Sequence, residues 1–128
     1  MGDTAHADCP ARGVLDHVTS RWGVAVLGAL RDGPLRFHQL RDRVGRVSEK
    51  MLSQTLRTLV ADGLVLRTVE PTSPPAVSYA LTELGEGVSV PLGALSDWLR
   101  RHAPAIEEAR RRGPHPASPP GPPEPRRR

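Results

Sequence analysis

A mainly α fold carrying one small β-hairpin is the architecture that this 128-residue sequence predicts, and three observations predict it. Before residue 63, apolar side chains recur at helical spacing in four successive stretches. After it come two short stretches rich in branched and aromatic residues, separated by a proline-rich loop. A long final stretch then returns to helical spacing.

The length suggests one domain. Residues 1–8 are expected to be a flexible N-terminus, and residues 9–112 the folded part. Residues 113–128, "GPHPASPPGPPEPRRR", form a Pro/Arg-rich tail with no aliphatic side chain larger than alanine. It buries too little apolar surface to offset its ordering entropy and is expected to be disordered.

The elements follow in order. Asp8 or Cys9 is placed to cap a first helix with Pro10 at its first position, where the missing N–H costs nothing. Val14, Leu15 and Val18 share one face. A second helix carries Trp22, Val26, Leu27 and Leu30 and stops at Gly33, before Pro34. "RFHQLRDRV" presents Phe37, Leu40 and Val44 as a short third helix. The fourth begins at Ser48, a suitable N-cap, with Val47 and Leu52 spaced as a hydrophobic staple. Leu52, Thr55, Leu56, Leu59 and Val60 give it a core-facing stripe, and Gly63 ends it.

"LVLRTVE" and "VSYAL" are the two strands, and "PTSPPA" between them is too long and too proline-rich for a tight turn, so it should protrude. The last helix starts near Thr82. Leu84, Val88, Leu92, Leu95, Trp98, Leu99 and Ile106 mark its apolar stripe, and a kink is expected near Pro91. That stripe either packs on its own domain or meets a partner helix. Setting aside the N-terminal helix, three helices, two strands with a projecting loop and a further helix make the order of a winged helix-turn-helix. The fourth helix takes the place of the element that enters the DNA major groove.

Charge points the same way. The net charge of the chain is +4, but residues 36–57 alone carry +4, from Arg36, Arg41, Arg43, Arg46, Lys50 and Arg57 against Asp42 and Glu49. Positive charge focused at one helix is the footprint expected for a polyanion, although an ordinary basic patch shares it. Lys50, Ser53, Gln54 and Arg57 fall on one helix face with no acid among them. Arginine and lysine read guanine and glutamine reads adenine, each good bidentate contact discriminating by about 1–3 kcal/mol. Ser48 sits at the start of the same face, and the arginines at 36, 41, 43 and 46 suit phosphates.

The segments "CP" at 9–10, "RW" at 21–22, "LRDGPLRFHQLRDRV" at 30–44, "VSEKMLSQTLRTLVADGLVLRTV" at 47–69 and "PPAVSYALTELG" at 74–85 resemble the HxlR-type transcriptional regulators. The resemblance covers roughly residues 9–102. It implies a dimeric bacterial winged-helix DNA-binding protein whose terminal helices, here with Leu84, Val88, Leu92, Leu95, Trp98 and Leu99, build much of the dimer interface. It also implies control of a nearby operon and, for some members, a response to oxidants or electrophiles through the N-terminal cysteine. One departure concerns the wing: the family often has a basic residue where this chain has Ala76, which leaves Arg67, Thr72 and Ser73 as the wing candidates.

Cys9 is the only cysteine, which excludes an internal disulfide and fits a reducing cytoplasm. At a helix N-terminus it is a candidate redox sensor; as a small buried hydrophobe it would be inert. His6, His17, His38, His102 and His115 show no metal-ligand spacing, and no phosphate loop or nucleophile motif appears, so neither a metal, a cofactor nor an enzyme is expected. No apolar run is long enough for a membrane. The expected partners are double-stranded DNA with a pseudo-palindromic operator and a second copy of the chain, with a small electrophile or aromatic effector as candidate inducer. The rival readings are a winged-helix protein-interaction module and a non-specific chromosome-binding protein.

Overall fold

A computed structural model describes residues 10–113. The chain divides into two compact units, Met1–Gly93 and Ala94–Arg128. In the first, α1 (Pro10–Val18) and α2 (Arg21–Ala29) lead through a 3₁₀ turn (Leu30–Asp32) to β1 (Leu35–Arg36), followed by α3 (Phe37–Val44) and α4 (Glu49–Ala61). Then come β2 (Val65–Glu70), β3 (Ala76–Leu81) and α5 (Glu83–Arg112), which continues into the second unit. The N-cap position expected of Asp8 or Cys9 lies outside the described residues.

The core of the first unit is aliphatic. Val18, Val26, Leu27, Leu30, Leu40, Leu52, Leu56, Leu59, Leu64 and Val65 are all buried, and Phe37, Val44 and Val47 pack around them. Two details differ from the periodicity. Leu30 belongs to the 3₁₀ turn rather than to α2, and Leu15 is exposed, so the apolar anchors of α1 are Val14 and Val18.

Helix ends follow local chemistry. Ser20 caps α2 by accepting the Gly23 N–H at 3.1 Å, and Ser48 caps α4 by accepting the Met51 N–H at 3.0 Å. At the other end of α4, Gly63 adopts φ +79°, and the Leu64 N–H donates to the Leu59 carbonyl while the Gly63 N–H donates to that of Val60. That pair of bonds is the Schellman stop, and it delivers the chain directly into β2.

The sheet has three antiparallel strands in the order β1-β3-β2, one more than the expected hairpin. Strand β1 is only two residues long, Leu35 opposite Tyr79 and Arg36 opposite Ser78, too short for alternation to reveal. Strands β2 and β3 pair from Val65 opposite Leu81 to Glu70 opposite Ala76. Side chains of Val65, Arg67 and Val69 therefore lie on one sheet face with Leu81, Tyr79 and Val77; Val65 is buried there, and Tyr79 and Leu81 pack on the core.

Thr82 fastens the start of α5: its hydroxyl donates to the Gly63 carbonyl at 2.6 Å and accepts the Gly85 N–H at 3.1 Å. Gly85 lies so close to β2 that a Cβ there would fall 2.1 Å from the Leu64 carbonyl oxygen. Helix α5 remains helical through Pro91. Val88 and Leu92 pack against the core of the first unit, whereas Leu84 and Val90 are exposed.

Residues 94–112 of the second unit are helical. Leu95, Trp98 and Leu99 are exposed by 45% or more, and Trp98 stacks on His102 with ring centroids 4.1 Å apart. Among the described residues no helix is long and apolar enough to cross a membrane.

Candidate nucleic-acid interface

Helix α4 presents a core-facing strip, two sides that border hollows, and an outward ridge. Leu52, Leu56 and Leu59 enter the core. Met51, Gln54, Thr55 and Thr58 border a depression of about 150 Å³ shared with Asp16 and His17 of α1. On the opposite side Ser53, Leu56, Arg57, Val60 and Ala61, at the i, i+3, i+4, i+7, i+8 spacing of one helical stripe, line a cleft of about 570 Å³ against Arg67 and Tyr79. Between the two hollows stands the outward ridge, with Lys50, Gln54 and Arg57 exposed and Ser53 half-buried beside them.

The ridge is held firmly. The Ser48 cap fixes its first turn, and His17 Nδ1 meets the Asp62 carboxylate at 2.7 Å at its last, tying α1 to the C-terminal end of α4. This contact joins residues 45 apart and had no signature in the sequence.

Partnering sorts the basic residues. Arg41 is ion-paired with Glu49, and Arg43 lies 3.8 Å from Asp32 and donates to the Ala29 carbonyl at 3.5 Å. These two arginines, expected to hold phosphates, are thus engaged within the protein and brace α3 against its neighbours. By contrast Arg36, Arg46, Lys50, Arg57 and Arg67 form no ion pair among the described residues. Coulomb attraction is worth most where no internal carboxylate competes, so these five candidates are available to meet a polyanion.

The structure does not bring all of them to one place. Lys50 and Arg57 share the ridge, and Arg67 lines the cleft beside it. Arg46 lies in the exposed loop just before the Ser48 cap. Arg36 stands in register with Ser78, on the sheet face opposite to that of Arg67, and its backbone N–H donates to the Gln39 side chain at 2.8 Å. The loop after β2 is exposed throughout residues 71–75. There the Thr72 hydroxyl donates to the Pro74 carbonyl at 2.7 Å, so Thr72 shapes the loop, while Ser73 stands at its tip with no partner recorded for its side chain among the described residues. Cys9 lies outside the described residues.

Comparison with known proteins identifies the architecture. The model of the HxlR-like helix-turn-helix family matches residues 17–107. An uncharacterized HTH-type transcriptional regulator of Escherichia coli K12, YtfH, is 50% identical over 105 residues, which cover 82% of this chain and 83% of that protein. The solved structure of a Salmonella typhimurium transcriptional regulator, ytfH, superposes with a TM-score of 0.78 at 50% identity and covers 87% of this chain and 99% of its own. The redox regulator HypR in its reduced form superposes with a TM-score of 0.72 at 30% identity, covering 77% and 98%. These relatives are described as regulators, the first as an HTH-type transcriptional regulator. The chain belongs to the HxlR-like helix-turn-helix family of transcriptional regulators.

Proposed function

We propose that the protein acts in the cytoplasm as a homodimeric repressor on a pseudo-palindromic operator, with one α4 in each of two major grooves. The observation that carries this reading is the α4 ridge: Lys50, Ser53, Gln54 and Arg57 project between two hollows, on a helix capped at both ends, with no acid paired to either cation among the described residues. Lys50, Gln54 and Arg57 contact base edges. Ser48, Arg46 and Ser53 contact phosphates at the groove margin, and Arg67 and Ser73 contact the flanking backbone. Arg36, on the far face of the sheet, would reach only DNA that bends around the domain.

A second copy covers the apolar side chains that the fold leaves in water. Leu84, Leu95, Trp98 and Leu99 are exposed by 67%, 52%, 46% and 45%, and each large apolar side chain removed from water contributes about 1.5–3 kcal/mol. Val88 and Leu92 face the first unit's own core.

Cys9 immediately precedes Pro10, the first residue of α1. A thiol at a helix N-terminus is favoured as thiolate, the form that reacts with electrophiles. Likeness to a redox regulator supports sensing here. With one cysteine per chain, an oxidised state is a disulfide between subunits or to a small thiol.

Fluorescence anisotropy of the reduced protein on DNA from upstream of its own gene, with scrambled competitor, tests both levels. Specific binding that is lost on adding a thiol-reactive electrophile, and kept by the Cys9→Ser protein, is expected. Equal affinity for scrambled DNA would favour a chromosome-binding protein. Loss of binding by Cys9→Ser on electrophile treatment would remove Cys9 as the sensor.

A further inference from the structure

The cleft between α4 and the sheet has a composition that DNA contact alone does not require. Its wall on α4 carries an apolar strip of Leu56, Val60 and Ala61 beside Ser53 and Arg57. On the sheet side, position 67 lies between Val65 and Val69 on the helix-facing row, where alternation favours another branched side chain. An arginine stands there instead, directly opposite Tyr79. Its guanidinium has no ion-pair partner among the described residues. Arg57 lines the same cleft from the helix and likewise has no ion pair among the described residues.

Two fixed cations, a phenol and an apolar wall are complementary to one chemical class. A carboxylate accepts paired, charge-assisted hydrogen bonds from guanidinium groups, and a flat or branched apolar body covers the aliphatic wall. The volume of about 570 Å³ falls within the range of small-molecule sites. An inorganic anion would satisfy the arginines and leave the apolar wall wet.

We propose that this cleft binds a small organic anion with an apolar body, of the size of an aryl carboxylate, and that the occupant releases DNA because Arg57 and Arg67 cannot serve both. The binding site stands on the cleft alone; the release rests on the DNA-binding reading above.

The test is an NMR titration of the full-length ¹⁵N-labelled protein with sodium 2-naphthoate. Neutral 2-naphthamide and sodium phosphate are the comparators, with sodium chloride matching ionic strength. Saturable shifts of the Arg57 and Arg67 Nε–H signals and of the amides at 77–79 are expected, with a Kd on the order of 1 mM or tighter. Naphthamide and phosphate should each bind about tenfold more weakly, and Arg67→Gln should weaken naphthoate about fivefold or more. Arg67 is exposed, so that variant keeps the fold.

Absence of saturation by roughly 10 mM overturns the site. Equal binding of naphthamide, or an unchanged Kd in Arg67→Gln, overturns the anion. Equal binding of phosphate makes the cleft a seat for the DNA backbone and overturns the ligand. Anisotropy on operator DNA then tests the release: naphthoate should raise the Kd for DNA where naphthamide does not. Naphthoate binding with DNA retained overturns the release alone. A protein that binds no DNA even without naphthoate defeats the DNA reading, and the titration still decides the site.

Discussion

Replacing Gly85 with alanine adds one methyl group where α5 crosses the start of β2. The new Cβ would lie 2.1 Å from the Leu64 carbonyl oxygen, 3.1 Å from its carbonyl carbon and 3.2 Å from Leu81 Cδ2. Carbon and oxygen come into contact near 3.3 Å, so α5 or β2 must retreat by roughly 1 Å. The nearest neighbour is backbone and cannot swing aside. Retreat also stretches the Thr82 N–H bond to the Leu64 carbonyl, now 3.0 Å, and the Thr82 hydroxyl bond to Gly63, now 2.6 Å. Overpacking costs about 1–3 kcal/mol and a weakened hydrogen bond about 1, so the variant should lose about 3 kcal/mol. For a domain of this size that lowers the Tm by roughly 12 °C or more. Gly28→Ala is the companion: it is a helical, exposed position with nothing within 4 Å of the added Cβ. There alanine's helix propensity should add about 0.5–1 kcal/mol. Urea unfolding at one fixed protomer concentration reads both, since the proposed homodimer would make stability concentration-dependent. A Gly85→Ala protein as stable as the parent, or a Gly28→Ala protein less stable, would refute the packing described at these two sites.

The distinction between engaged and free cations predicts that Arg46→Ala flattens the salt dependence of DNA affinity by about 0.9 in the log–log slope, its contact being to phosphate, and that Lys50→Ala relaxes preference at one base pair. Arg41→Ala, whose guanidinium is spent on Glu49, should leave slope and preference unchanged; titrations at several salt concentrations compare the variants. Leu99→Arg should shift the protein from dimer to monomer in sedimentation equilibrium, because a charge in an apolar interface goes unpaired, and a dimer that persists would place the interface elsewhere.

Helix α4 was almost wholly legible in the sequence, because its signals are local and agree: a serine cap, a leucine stripe at helical spacing and a glycine stop. The one-sided ridge followed from the same period. Strand β1 was not legible, since two residues between Pro34 and a helix carry no alternation, and only pairing with Tyr79 and Ser78 makes them a strand. The fate of the arginines was hidden for another reason. Arg41 and Glu49 are eight residues apart on different helices, and Arg43 finds Asp32 across a turn, so charge counting treated all four arginines of residues 36–46 alike. Arg67 illustrates the intermediate case. Its place on the helix-facing row could be counted from Val65 and Val69, but the cleft it enters exists only once α4 and the sheet are set side by side. The long C-terminal stripe likewise mixes two roles: Val88 and Leu92 serve the domain's own core, while Leu95, Trp98 and Leu99 stay exposed.

The most direct test of the account is selection of bound sites from randomised duplex DNA by the reduced protein, repeated with Gln54→Ala. An inverted repeat is expected whose half-site centres lie about one helical turn, ~34 Å, apart, with a preference at one base pair of each half-site that relaxes in the variant. Recovery of no common sequence, or of the same sequence with undiminished preference in Gln54→Ala and in the corresponding Lys50→Ala and Arg57→Ala proteins, would contradict the assignment of the α4 ridge as the surface that reads DNA.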